Sequence, residues 1–283
     1  MNQTPPVILS IAGFDPTSGA GTTADIKTIA AHGCYGVACI TALTVQSTTG
    51  VRRVEPVPAK LVRETLRELA ADVPIAAVRI GMLASDEVVA AVVDFLQAAR
   101  IPHVVLDPVL RSTSGSPLLD KAGIERMQKQ LLPLVSVITP NIEEAGTLAG
   151  MKVTNLEEMH AAAAKLHKLG ARQVIVTGGH LEKAVDLVSV AASNGTPPEQ
   201  IEFGSDRLRS TSTHGTGCAF ATALAVNLAQ GKQLQDAAVL AKAYVTKAIA
   251  RAYPLGKGSG PVHHLFRMDE QPRPAADAVE PKH

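Results

Sequence analysis

Short apolar runs alternate with amphipathic stretches along most of the chain. PVILSIAG is apolar and ends in Gly13, which reads as a buried strand. AGTTADIKTIAAHG follows as a helix closed by Gly33. YGVACITAL reads as a second strand and VRRVEPV as a short, more exposed one. PAKLVRETLRELAADV has helical periodicity, with Pro58 acceptable in a first turn. The same rhythm continues through the strand IAAVRIGML, the Ser- or Asp-capped helix SDEVVAAVVDFLQAARI and the strands PHVVLDPV and LVSVITPN. A helix is expected to start near Asn141. TNLEEMHAAAAKLHKLG should open as a capping box, with Thr154 as cap and Glu157 three residues on. ARQVIVTGGH is a strand running into a Gly pair, and AVDLVSVA with QIEFGSD predicts an antiparallel pair at one edge. After Gly215 the pattern is almost entirely helical. The polar, Pro-rich MDEQPRPAADAVEPKH predicts a disordered tail.

This alternation predicts an α/β fold, with a mainly parallel central sheet and helices on both faces. In such sheets ligands bind beyond the carboxyl ends of the strands. Asp15, Gln46, Met82, Asp107, Asn141 and the Gly178-Gly179 pair all follow strands and become candidates.

Composition narrows the function. Of 283 residues 46% are hydrophobic, but only 3% are aromatic and none is Trp, so the core is aliphatic and stacking platforms for single-stranded nucleic acid are not expected. The formal net charge is +1 without a long basic run, which argues against nucleic-acid and anionic-membrane surfaces. The three cysteines show neither a disulfide framework nor a zinc pairing. No apolar run approaches the ~20 residues of a membrane helix, and no charged n-region precedes the first apolar stretch. The expectation is a cytoplasmic protein.

Three stretches can carry chemistry. In STHGTGCAFATAL, Gly215-Thr216-Gly217-Cys218 opens a small-residue helix. Backbone N–H groups and the positive helix end suit phosphate, and the same field should lower the pKa of the Cys218 thiol. A helix start with an inert thiol explains the same residues equally well. AGFDPTSGAGTTADIK is Gly-rich after a strand, but it is neither a phosphate-binding P-loop motif nor a dinucleotide fingerprint. Asp25 within it either serves a site or stabilises a helix start. Asn141 and Glu144, three apart, can face a hydrated Mg²⁺ or be a helix cap and an exposed acid. His263 and His264 in GPVHHL face opposite ways and do not suggest a metal site.

Taken in order, SIAGFDPTSGAGTTADIKTIAAHGCYGVACITALTVQSTTGV, IGML, LDPV, SGSPLL, ITPNIEEA, GGHL, STHGTGC and GPVHH resemble the hydroxymethylpyrimidine/phosphomethylpyrimidine kinases of thiamine biosynthesis. The resemblance runs from about Val7 to His264. It implies a ribokinase-like domain over 1–267, with 268–283 as the tail. It also implies ATP- and Mg²⁺-dependent phosphorylation of 4-amino-5-hydroxymethyl-2-methylpyrimidine and of its monophosphate. By the same resemblance Gln46 would bind the aminopyrimidine edge, Met82 would pack on the ring, and Gly13 and Asp25 would shape the pocket. Gly215, Thr216 and Gly217 would form the anion hole and Cys218 would be the base. Asp107, Asn141, Glu144, Thr177 and Thr213 would face the Mg²⁺–phosphate region, without a metal held tightly by protein groups alone. Relatives are often dimers built through edge strands, so a homodimer is implied.

Two positions depart from the family's pattern. Thr113 and Thr177 stand where it commonly has lysine, with Arg111 close to the first. The monophosphate is therefore expected to be the poorer substrate. Pyridoxal kinase is the nearest rival reading, and a non-catalytic pyrimidine-binding protein is a rival of another class.

Overall fold

The computed structural model describes residues 4–112, 115–179, 184–192, 196–205 and 210–269. The expected alternation is present. In order the elements are β1 (Val7–Phe14), α1 (Gly21–Ala31), β2 (Tyr35–Ser47), β3 (Gly50–Pro56), α2 (Ala59–Asp72), β4 (Ile75–Ile80), α3 (Asp86–Ala98) and β5 (His103–Leu106). Next come α4 (Lys121–Arg126), β6 (Val137–Ile138), α5 (Ile142–Ala149), α6 (Leu156–Lys168), β7 (Gln173–Val176), β8 (Ala184–Val190) and β9 (Glu199–Ser205). The chain continues through α7 (Thr216–Ala229), α8 (Leu234–Ala250) and α9 (Phe266–Asp269).

The nine strands form one sheet in the order β3-β2-β1-β4-β5-β6-β7-β8-β9. β2 to β7 are parallel, while β3 closes one side and β8-β9 the other in antiparallel pairing. The chain leaves β1 for β2 on one side and later enters β4 on the other. The order therefore reverses at β1, and a crevice opens beyond the carboxyl ends of β1 and β4.

The sheet is buried on both faces. Leu9, Ile11, Val78 and Ile80 join one aliphatic core under α2, α3, α5 and α6. Ile8, Ala77, Val105 and Val137 join a second core under α7 and α8. Every residue of α7 from Ala219 to Leu228 is buried, so this helix is apolar all round and lies between the sheet and α8.

Local expectations fail in four places. Helix α6 is capped by Asn155, whose side chain accepts from Glu158 N (2.9 Å), not by Thr154. Glu158, not Glu157, reaches back, to the N–H and hydroxyl of Thr154. Helix α4, with the π and 3-10 turns that prolong it to Leu134, falls on a stretch with no clear sequence pattern. Residues 251–265 are not helical. Helix α9 carries the ordered chain to Asp269, past the expected boundary at 267. The remainder of the expected tail, 270–283, lies outside the described residues.

Two histidines stand where α1, α8 and the last segment meet. Burial drives the ring pKa of His32 and of His264 from 6.5 to about 4. The unfolded chain then binds protons that the folded protein refuses. This contribution to stability is present above about pH 6.5 and is lost as the pH falls towards about 4. The melting temperature should accordingly drop between about pH 7 and pH 4.5. Thermal melts of His32→Asn, whose amide can still donate to the Thr28 carbonyl, should show a smaller drop than wild type over that range.

Candidate active site

Gly215 begins α7 with φ +83° and no side chain caps the helix. A Cβ at this position would collide with the Gly19 carbonyl, so only glycine permits the approach. Thr216 turns back to the Thr213 carbonyl through its N–H (3.3 Å) and its hydroxyl (2.7 Å). The next N–H groups, of Gly217 and Cys218, belong to the first turn and have no intrahelical acceptor. Gly215 to Cys218 line the crevice, at the place where GTGC was expected to form an anion-binding helix start.

Beneath it lies an arrangement that sequence reasoning missed. Arg79, at the end of β4, is 0% exposed. Its Nη1 donates to Asp25 (3.1 Å) and its Nη2 to Asp107 (2.5 Å), and it also hydrogen-bonds Cys218. A Cβ on Gly81 would strike the guanidinium, so the glycine of IGML leaves room for it. The signal was present: one arginine inside the apolar run IAAVRIGML. A fully buried cation demands anionic partners, and these are Asp25 and Asp107.

The expected roles of Asp25 do not hold. Its carboxylate is wholly buried and accepts from Ser10 (2.6 Å), Thr222 (2.7 Å) and Arg79. It does not line the crevice, and it lies in the second turn of α1, beyond the helix start. It supports the floor by holding Arg79. The expectation for the thiol also reverses. Burial pushes Cys218 up to about 12; Arg79 pulls it down, while Asp107 and Asp25 push it up. At neutral pH Cys218 is a thiol, close enough to Asp107 to feel its charge.

On the β1–β2 side, Met82, Gly13 and Gln46 line the crevice. Gly13 leaves room for the Met82 methyl, which a Cβ would strike. His214 was not foreseen. Its Nε2 lies 2.7 Å from Asp15 Oδ2 and 3.3 Å from Gln46 Nε2. The single hydrogen on Nε2 goes to the nearer carboxylate, so the Gln46 amide finds no acceptor on the ring and its N–H groups are left to the crevice. Asp15 also accepts from Thr17 N (2.8 Å), Thr17 Oγ1 (2.9 Å) and Ala20 N (3.0 Å). Burial works against its ionisation, but the bonds from His214 and Thr17 prevail and hold its carboxyl below the usual range.

On the β6–β7 side, Asn141 caps α5 in a full capping box with Glu144. Its side-chain oxygen is taken by the N–H groups of Glu143 and Glu144, so it does not offer that oxygen to a metal. Glu144 is not the exposed acid of the simpler reading but is 8% exposed. Burial, then the charge of Asp107, pushes its carboxyl up to about 8. Burial likewise raises the Asp107 carboxyl, against the pull of Arg79. Thr177 pairs with Asn141 and lines the crevice, as does Thr213. An ion pair between buried Asp186 and Lys242 (2.8 Å) stands beside them, with Asp186 also accepting from Gly178 N (3.0 Å). This cation, separated from Asp186 in sequence by β9 and α7, was also missed. Arg111 is exposed at the rim, its Nη1 on the Gly115 carbonyl (3.2 Å). Thr113 lies outside the described residues.

A family model described as phosphomethylpyrimidine kinase matches residues 15–263. A hydroxymethylpyrimidine/phosphomethylpyrimidine kinase of Aquifex aeolicus is 41% identical over 254 residues, which is 89% of this chain and 97% of that protein. The thiamine biosynthesis bifunctional protein ThiED of Geobacter sulfurreducens is 41% identical over 265 residues. The match covers 93% of this chain, which spans 53% of that relative's length. The crystal structure of an ADP complex of Bacillus subtilis pyridoxal kinase superposes with a TM-score of 0.84 at 30% identity, covering 94% of this chain and 100% of that one.

The buried cation gives a direct test of the floor. Arg79→Met leaves two carboxylates facing each other without a partner, and such losses cost about 3–5 kcal/mol. Urea denaturation should show that loss, whereas removing the exposed pair of Arg53 and Glu55 should leave the midpoint near wild type.

Proposed function

The chain belongs to the phosphomethylpyrimidine kinase family, and on that premise we propose that it uses ATP to phosphorylate 4-amino-5-hydroxymethyl-2-methylpyrimidine, and then the monophosphate, in thiamine biosynthesis. The fold is ribokinase-like, and the activity is that of a kinase, a transferase. The observation that carries the reading is one crevice containing Gln46 and Met82 on one side, the uncapped start of α7 in the middle, and Glu144, Thr177 and Lys242 on the other.

In this reading the pyrimidine lies on Met82, with its amino edge on the Gln46 amide. Its hydroxymethyl oxygen attacks the γ-phosphorus of ATP. A P–O bond forms to that oxygen and the bond to the β-phosphate oxygen breaks. The N–H groups of Gly217 and Cys218 stabilise the charge on the transferred phosphoryl group. The hydroxyl proton passes to Cys218 Sγ as the thiol gives its own proton to Asp107, so the carboxylate is the net acceptor. That relay fits a thiol with a high pKa better than a standing thiolate does.

Asp107 and Glu144 fit a hydrated Mg²⁺. Both are buried carboxyls held above their usual range, Glu144 in part by the charge of Asp107, and a cation there would relieve them. Mg²⁺ bound there would neutralise charge on the nucleotide phosphates. The continuous sheet supports reading 1–267 as one domain. Among the described residues no helix is long and apolar enough to cross a membrane, which supports a cytoplasmic protein. Tyr35, Leu43 and Val45, exposed on β2 beside the edge strand β3, support a homodimer through that side of the sheet.

Pyridoxal kinase is the second reading, favoured by the superposition with the B. subtilis enzyme. A coupled ATPase assay with the pyrimidine, its monophosphate and pyridoxal decides between them. Preference for pyridoxal would overturn the first reading. Cys218→Ala should lose about 10²–10⁴-fold in kcat while the Kd for the pyrimidine holds, as expected for loss of a proton-transfer group. Near-normal turnover would make Cys218 a bystander. Gln46→Leu strands the polar edge of the ring, at roughly 1–3 kcal/mol. The loss should appear in KM for the pyrimidine and leave KM for ATP alone. With Thr177 neutral and Arg111 at the rim, kcat/KM should be lower for the monophosphate than for the alcohol, and Arg111→Ala should lower only the monophosphate reaction.

A further inference from the structure

The GPVHH segment has no part in the reaction as described, yet it touches both loops that build the anion hole. Residues 260–262 pair with His214: His214 N donates to the Gly260 carbonyl (3.0 Å), and Val262 N to the His214 carbonyl (3.2 Å). Two residues on, His264 is 3% exposed, and both its ring nitrogens are engaged. Nε2 lies 3.1 Å from the Gly19 carbonyl oxygen, and Nδ1 lies 3.3 Å from Thr28 Oγ1. A carbonyl can only accept, so Nε2 carries the hydrogen and Nδ1 accepts from the Thr28 hydroxyl. Burial keeps the ring neutral, which preserves this tautomer at any working pH. The backbone at His264 is fixed as well, since Tyr244 on α8 donates its hydroxyl to the His264 carbonyl (2.5 Å).

The Gly19 carbonyl is the group against which Gly215 turns. A Cβ on Gly215 would collide with that oxygen, and a Cβ on Gly19 would collide with the His214 ring. The neighbouring carbonyl, of Ser18, is held separately by Lys27 Nζ (2.9 Å). His264 thus supplies the side-chain donor on the one carbonyl that touches the first residue of the anion hole.

We propose that His264 is a positioning residue of phosphoryl transfer, whose Nε2–H holds the Gly19 carbonyl against Gly215 and so aims the N–H groups of Gly217 and Cys218. The inference rests on the kinase reading above. It does not involve substrate contact, so it predicts a loss in turnover without a loss in pyrimidine binding. Without the donor, Gly19 carries a buried unpaired acceptor, and the loop relaxes towards another partner.

Two substitutions separate positioning from packing. The amide nitrogen of Asn falls near the place of Nδ1 and does not reach Gly19; that of Gln falls near Nε2 and does. His264→Asn should lower kcat by roughly 10²-fold, the scale of a small misplacement of a catalytic group. KM for the pyrimidine should stay at the wild-type value. His264→Gln should recover most of the turnover. Amide hydrogen exchange of the full-length, ligand-free protein should speed up at 15–21 and 213–217 in the Asn variant and not in the Gln variant. Equal turnover of the two variants, or unchanged turnover in the Asn variant, would overturn the proposal. If His264→Asn does not fold, Thr28→Val decides. It frees the ring from its second partner and should give a smaller loss of kcat in the same direction, and unchanged kcat and exchange would count against His264. A wild-type protein that phosphorylates neither the pyrimidine nor pyridoxal would instead overturn the kinase reading, and the exchange comparison would still judge His264.

Discussion

The guanidinium of Arg79 is the constraint around which the crevice is organised. It sits at the end of β4, without solvent exposure, where the strand order reverses. A charge in that place is stable only with opposite charge in contact. Asp25 from α1 and Asp107 from the end of β5 supply it, and Ser10 and Thr222 complete the shell of Asp25. The network reaches from β1 and β5 across to α1 and α7. The same contacts that satisfy the cation therefore fix the start of α7 relative to the sheet.

That network also sets the electrostatics of the open crevice. Arg79 is largely consumed by its two carboxylates, so little positive charge is left over for a ligand. Asp25 raises Asp107, Asp107 in turn raises Glu144, Cys218 remains a thiol, and the uncapped start of α7 stands beside them. A site so arranged neither holds a free anion by charge alone nor ionises its own thiol. In the proposed reaction the balance would be completed by a nucleotide entering with its cation.

Glycine contacts join the loop after β1 to the loop before α7. Gly19 and Gly215 each make room for the other loop, and Gly13 makes room for Met82. Asp15 gathers the N–H groups of its own loop and then reaches across to His214. The loops are thus one unit, held from behind by the segment 260–264.

Much of the architecture could be read from the chain itself. Period-two and period-3.6 patterns are local, so the βα alternation, the parallel sheet and the antiparallel edge of β8 and β9 followed directly. The residues of the crevice were legible as well, because a doubly wound sheet places whatever follows a strand at one rim. Gln46, Met82 and Asp107 emerged that way, Glu144 by its spacing from Asn141, and Gly215 to Cys218 as a Gly-rich helix start. What the sequence could not decide was which groups touch. Asp25 read as a pocket residue but is sealed against Arg79, and GTGC read as an acidifying environment but surrounds its thiol with two carboxylates and little water. The pairings of Arg79 with Asp25 and Asp107, of Asp15 with His214 and of Asp186 with Lys242 were invisible because the partners are tens to hundreds of residues apart. Periodicity reports the face on which a residue lies; burial, and the partners that burial makes obligatory, exist only once distant strands and helices have closed on one another.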